Sequence, residues 1–424
     1  MRILTAFLLA AAAHAAVVAI RPDGVFTFDG KPAFPIGLTT APAPGTRTPA
    51  GGDAYTELAT NGVVFNRCGL GGKWTAEAEA TLDRLMDGAA KAGMRCAIYI
   101  PELAVIEPGD RKKEDELRRV VQKYKSHPAT AFWKGADEPE WGKIPPAKLR
   151  RFYEIVHELD PDHPVWITQA PRGTAETLKP YNAFYDVGAI DIYPVSYPPG
   201  VHTNLANKNL SMTGDFAKLI GDVTAADHKP FWMVLQICFS GVTKPGNTLR
   251  FPTFFEQRYM SYESIIAGAR GLLYFGGNVP QCQTGQDKAL GWNWSYYGKV
   301  LKSVLDEFNP GGPLFPALIA PDSALPVKVE GAPDIEFRVR EAAGAVFVLA
   351  AKREGSTVKA TFHGLPNDVS TGELLYEAPR TVTAKDGSFT DWFGPNEVHA
   401  YRFARSGSSG VTGSKKAQQR MPQQ

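Results

Sequence analysis

The chain has 424 residues, 46 basic and 44 acidic side chains, and a formal charge of +2. That length exceeds one average domain and suits a large domain with a smaller companion, and the near-neutral charge gives no reason to expect nucleic acid or an anionic membrane as partner. Cys68, Cys96, Cys238 and Cys282 follow no metal-ligand spacing and no H-E-x-x-H motif occurs, so no metal or other cofactor is called for.

In chain order, Met1-Arg2 is a short positive start, residues 3–13 are apolar, and Ala13-His14-Ala15 is a small-residue cleavage site. This reads as a signal peptide, residues 1–15, too short to span a bilayer, and implies a secreted or periplasmic protein with no membrane attachment after cleavage. Residues 18–28 predict a hairpin closing one end of the following domain, with Asp29-Gly30 as a turn. Short, mostly continuous apolar runs then recur at 34–38, 63–67, 95–101, 131–136, 164–168, 187–193, 230–236 and 271–275. Continuous apolarity suits strands buried on both faces. Amphipathic helices lie between them: Leu82, Leu85, Met86 and Ala89 repeat at helical spacing, as do Leu149, Phe152, Tyr153, Val156 and Leu159. Eight alternating units predict an α/β fold, a (β/α)8 TIM barrel over residues 16–312. The fifth connection, 173–179, has room for only about two helical turns.

After Asn309-Pro310-Gly311-Gly312-Pro313 the period changes to two. Ile335, Phe337 and Val339 alternate with Glu336, Arg338 and Arg340, and similar runs follow with Asp386-Gly387 as a hairpin turn. Residues 313–405 therefore predict a small antiparallel β-sandwich, and the polar 406–424 a disordered tail.

Active sites of such barrels lie at the C-terminal ends of the strands. Strand four ends in Asp137-Glu138-Pro139, strand six in Asp191-Ile192-Tyr193-Pro194, and strand seven in Gln236. Adjacent carboxylates leaving an apolar strand are costly unless solvated, paired or used. An acidic helix start is the simpler explanation, but Pro139 and the 141–146 stretch delay the helix to about Ala147.

The order of these features resembles the superfamily of retaining barrel glycosidases, in which strand four ends Asn-Glu-Pro with Glu as acid/base. Here Asp137-Glu138-Pro139 falls on that triplet, with Asp in place of Asn. Segments 31–37, 250–260 and 268–272 resemble bacterial relatives of this kind, and 389–393 and 398–401 resemble their appended β-domain. The resemblance spans nearly the whole chain after residue 15, but only the triplet bears directly on catalysis. It implies a glycoside hydrolase acting on O-glycosidic bonds of an oligo- or polysaccharide, with Glu138 as general acid and a carbohydrate as the partner. The alternative is a non-catalytic carbohydrate-binding barrel, because Gln236 stands where those families carry a nucleophilic Glu, and an amide cannot form the glycosyl-enzyme.

Three carboxylates remain to complete the site. Asp191 alternates with Tyr193 onto one face of strand six and offers an inverting partner. Asp137 is similar to the Asp of hexosaminidases that use the substrate's own acetamido group. Glu256 has capping-box spacing from Thr253 and reads chiefly as a helix cap. Tyr193, Gln236, Asn66, Arg67, Tyr99, Trp292 and Trp294 are the expected sugar contacts. His127 and His163 lie at the opposite end and read as structural. A disulfide is expected between Cys238 and Cys282, which follow adjacent strands seven and eight. Cys68 and Cys96, placed at opposite strand ends, are not expected to pair.

Overall fold

The computed structural model describes residues 15–201, 203–237, 251–275 and 294–406, with the backbone of two short strands, Val242–Lys244 and Asn247–Leu249. Eight parallel strands close into a barrel in chain order: β1 (Ile36–Leu38), β2 (Phe65–Cys68), β3 (Arg95–Tyr99), β4 (Thr130–Asp137), β5 (Val165–Gln169), β6 (Val187–Ile192), β7 (Phe231–Gln236) and β8 (Leu272–Phe275). Each is followed by a helix: α1 (Ala54–Thr60), α2 (Ala76–Lys91), α3 (Arg111–Tyr124), α4 (Arg150–Leu159), α5 (Ala175–Leu178), α6 (Met212–Ala225), α7 (Phe254–Ala267) and α8 (Lys302–Glu307). The short fifth connection holds only the four residues of α5 and the 3₁₀ turn Lys179–Phe184.

Period-two alternation decides what points inward. Phe65, Phe132, Trp166 and Trp232 fill the lower barrel, with ring centroids 5.0 to 5.6 Å apart. Phe26, from the hairpin strand Phe26–Phe28, packs on Trp232 at 5.3 Å and closes that end as expected. Gly37 is required here, because a Cβ would sit 2.5 Å from the Phe65 ring. His163 is structural: it bonds Asp160 at 2.6 Å and the Ala16 carbonyl at 2.9 Å, pinning the chain where the fold begins.

Beyond the barrel, two antiparallel sheets enclose a second core. One joins β9 (Lys328–Glu330), β12 (Val358–His363) and β15 (Ser388–Phe393). The other runs β10 (Ile335–Ala342), β11 (Ala345–Lys352), β16 (Val398–Ala404), β13 (Thr371–Leu374) and β14 (Thr381–Thr383). Asp386 and Gly387 both take positive φ, as a tight hairpin turn demands. Strand β11 is buried throughout because its faces serve different cores. Val346 and Val348 enter the sandwich, while Phe347, Leu349 and Ala351 join the barrel's helical layer. Polar contacts reinforce that seam: Arg353 reaches Asp215 at 2.8 Å, and Arg258 reaches Glu307 at 2.9 Å and the Val398 carbonyl at 2.7 Å.

Two expectations about side-chain pairing meet the structure differently. Cys68 and Cys96 do form a disulfide, with Cα atoms 5.6 Å apart. The register explains the correction: Cys96 lies opposite Asn66, so Cys68 is only two residues further along the neighbouring strand and on the same face. The expected partners Cys238 and Cys282 lie outside the described residues. Glu256 caps α7, accepting from the Thr253 amide at 2.8 Å while its own amide donates to the Thr253 hydroxyl. Arg258 pairs with Glu307.

Candidate active site

The inward face of the strands carries a cavity of about 330 Å³ at the C-terminal end of the barrel, lined by Thr39, Arg67, Asp137, Glu138, Trp166, Thr168, Asp191, Tyr193, Val234 and Phe275. Asp137, Glu138 and Asp191 thus meet in one mouth, while Glu256 is not among its lining residues. They reach it by different local geometry.

Strand β4 departs from regular pairing between Lys134 and Asp137, where its register with β5 shifts. That irregularity turns Asp137 and then Glu138 toward the axis. Glu138 takes a left-handed backbone, φ 46°, unusual for a residue with a side chain. Its amide donates to the Thr168 carbonyl at 2.7 Å and its carbonyl accepts from Gly142 at 2.9 Å, so strand β5 and the loop after β4 hold the strained conformation.

Asp137 sits among cations. Lys134 Nζ lies 3.0 Å from its carboxylate and Arg67 Nη1 3.7 Å. Its side chain is 40% exposed, opening into the concave mouth. The surrounding wall penalises its charge, but Lys134 and Arg67 outweigh that and hold the carboxyl below the usual carboxylate range. Lys134 is fully buried, lies 4.6 Å over the Trp166 ring and donates to the Ala136 carbonyl. Burial pushes its ammonium below the usual lysine range, and Asp137 counteracts part of that shift. Arg67 is fixed by a 2.9 Å bond to the Thr39 carbonyl and lies 4.5 Å over the Tyr99 ring, so Tyr99 supports the guanidinium from the side.

Asp191 has the opposite environment. It is 5% exposed, and its carboxyl lies beside Glu138 and Tyr193. Burial first, then the Glu138 charge, pushes its carboxyl well above the usual range. Tyr193 stacks on Phe275 at 5.2 Å, and burial next to Asp191 raises its hydroxyl pKa well above the ordinary value.

Other expected contacts have different places. Gln236 points inward but is consumed by Val195, accepting from its amide and donating to its carbonyl, both at 3.0 Å. It clamps the turn after β6 and is not a free sugar contact. Asn66 shares the outward face of Cys68, beneath the helices, so alternation takes it away from the mouth. Trp294 packs edge-on against Tyr297 at 5.0 Å within the last helical segment and is not among the residues lining the cavity. Trp292 lies outside the described residues. Conversely, Lys134, Trp166, Thr168, Thr39 and Phe275 belong to the mouth and went unassigned from sequence. The signal available for Lys134 was a charge inside an otherwise apolar strand, three residues before Asp137. For Trp166 and Thr168 it was the same alternation that joins Asp191 to Tyr193.

No family model matches the sequence, and no curated protein matches it. Solved structures do. A glycoside hydrolase family 5 protein from Bacteroides vulgatus superposes with a TM-score of 0.65 at 13% identity, over 92% of this chain and 93% of that one. A protein described as a glycoside hydrolase gives 0.63 at 13% identity, over 93% and 97%. An alpha-amylase from Geobacillus thermoleovorans gives 0.56 at 9% identity, over 91% and 99%. This chain shares their fold. Each overlap takes in more than nine-tenths of this chain.

Proposed function

We propose that the chain is a glycoside hydrolase whose general acid is Glu138. One observation carries the reading: Asp137, Glu138 and Asp191 line a single mouth at the C-terminal end of the barrel, with Lys134 and Arg67 beside Asp137 and with Asp191 buried. Carboxyl groups whose surroundings drive their proton affinities apart are what acid-assisted glycoside cleavage requires. The fold shared with structures described as glycoside hydrolases agrees with it.

Glu138 delivers its proton to the glycosidic oxygen as the bond to the anomeric carbon breaks, and the bonding pair leaves with that oxygen. Asp191, buried next to Glu138, passes its proton to Glu138 and is left as the anion, with Tyr193 beside it. Positive charge developing at the anomeric centre faces Asp137, which Lys134 and Arg67 keep ionised and oriented. An inverting pair stands about 6.5–9.5 Å apart to admit a water, whereas the Asp191 carboxyl lies beside Glu138. That contact favours Asp137 over Asp191 as the group opposite the acid, and with it assistance by a 2-acetamido group of the substrate. The Cys68–Cys96 disulfide supports export to an oxidising compartment.

The test is a screen of purified protein on aryl glycosides and polysaccharides, with NMR of the product's anomeric configuration. Glu138→Gln should lower turnover of substrates with poor leaving groups by about 10²–10⁴-fold, with activated aryl glycosides less affected and folding unchanged. Retention on 2-acetamido glycosides supports the Asp137 route; inversion returns the role to Asp191. Sugar binding with no turnover in the wild type would make the chain a carbohydrate-binding barrel, the reading that Gln236 favours.

A further inference from the structure

A second, shallower depression opens from the same carboxyl pair. It measures about 90 Å³ and is lined by Glu138, Trp141, Ala170, Pro171, Arg172, Asp191 and Tyr193. Glu138, Asp191 and Tyr193 are therefore a shared wall between it and the main cavity. The main cavity reaches down to Trp166 and Val234 on the barrel axis, whereas the second lies on the loops after β4 and β5. A sugar chain whose scissile oxygen rests on that wall has one unit in the main cavity and the next against Trp141 and Arg172.

Two features of this depression point to its ligand. Trp141 is 54% exposed, an indole face offered to solvent beside Glu138. Arg172 lies 6.0 Å from the centre of that ring. Among the described residues Arg172 has no carboxylate partner, although Glu140 is on the adjoining loop: Glu140 lies toward Lys143 at 3.7 Å. At 6.0 Å the Arg172 guanidinium is beside the indole and not stacked on it, and its planar N–H fork matches a carboxylate. Indole faces in turn take the apolar face of a sugar ring.

We infer that Trp141 and Arg172 form a subsite for a carboxylated sugar, a uronic acid, on the leaving-group side of Glu138. The inference rests on the reading of Glu138 as general acid for the assignment of sides, and adds the substrate's chemistry: a chain in which a uronate follows the sugar whose bond is cut. Arg172 pairs with the uronate carboxylate and Trp141 stacks beneath its ring.

Calorimetric binding to full-length protein carrying Glu138→Gln separates this from turnover. The probes are disaccharides with glucuronate or galacturonate at the reducing end, each compared with its methyl ester, the non-reducing unit being a neutral or a 2-acetamido hexose. A charge-assisted pair predicts that the acid binds about 10- to 100-fold more tightly than its ester. Adding Arg172→Gln should abolish that preference while leaving ester binding within about twofold, and Arg172→Lys should restore only part of it. Trp141→Ala should weaken acid and ester alike. Absence of an acid-over-ester preference across the panel overturns the inference, as does an Arg172→Gln variant that keeps the preference. If the preference is present but wild type cleaves no glycoside, the hydrolase reading falls and the uronate site stands. If glycosides are cleaved without acid preference, only the uronate site falls.

Discussion

At the scale of single residues, the mouth is organised by one buried lysine. Lys134 contributes no exposed surface and is held by Asp137, the Ala136 carbonyl and the face of Trp166. Its consequence is electrostatic: with Arg67 it keeps Asp137 ionised against the penalty of the surrounding wall. A carboxyl with a depressed pKa is active as the anion above that pKa and loses the role as pH falls through it. Lys134→Met leaves Arg67 alone, 3.7 Å away, so Asp137 should protonate at a higher pH. The acidic limb of the kcat/KM profile should accordingly move up by about one unit, within the range for loss of one nearby opposite charge. A limb that stays in place would detach Asp137 from the pH dependence. The strand pattern exposed Asp137 and Glu138 as candidates, but not Lys134, because an isolated charge in an apolar run looks the same whether it snorkels outward or is buried beside a partner.

At the scale of elements, the register between β2 and β3 sets the disulfide. Cys68 and Cys96 belong to adjacent parallel strands and close a segment of 28 residues that includes all of α2. Loop-closure arithmetic for that length gives about 3–4 kcal/mol of stabilisation. Denaturant unfolding of a Cys68→Ala/Cys96→Ala variant should show a loss of that order relative to the oxidised wild type. A loss below about 1 kcal/mol would mean that α2 and its neighbouring strands stay ordered without the bond. The strand positions were legible from apolar runs, yet the pairing was not. A two-residue offset between neighbouring strands decides which cysteines meet, and no apolar pattern encodes that offset when both strand faces are buried.

For the whole molecule, the barrel and the β-domain share a seam with a titratable centre. Glu263 of α7 is fully buried; no described N–H or O–H group donates to either of its oxygens, and its side chain lies against Glu336 of β10. Burial, then the Glu336 charge, raises the Glu263 pKa well above the usual range, while Lys218 and Arg353 help hold Glu336 below it. Lys218 stands 2.6 Å and Arg353 2.9 Å from Glu336. Of the two carboxyl groups, Glu263 is therefore the one whose surroundings favour the protonated form. Because its folded pKa is raised, the folded state binds a proton there more tightly than the unfolded chain. The resulting stability is lost as pH climbs from the ordinary carboxylate range through the folded pKa. Glu263→Gln keeps a donor toward Glu336 and cannot ionise. Its melting temperature relative to wild type should rise between pH 5 and pH 9, read by thermal unfolding at both pH values. A difference that does not change with pH would exclude a proton link across the seam.

The order of eight apolar runs and intervening helices determined the barrel, since strands buried on both faces and a parallel connection leave few other closures. The switch from helical to two-residue periodicity after residue 313 likewise determined the β-domain. The ends of strands four and six named Asp137, Glu138, Asp191 and Tyr193, because the chain direction alone places those ends at one mouth. Tertiary structure decided what each group can do. Closure of the barrel set Asp191 against Glu138 and Lys134 against Asp137, and gave Gln236 to the backbone of Val195. The protonation of a carboxyl depends on charges and burial within a few ångströms, and those neighbours come from strands far apart in sequence.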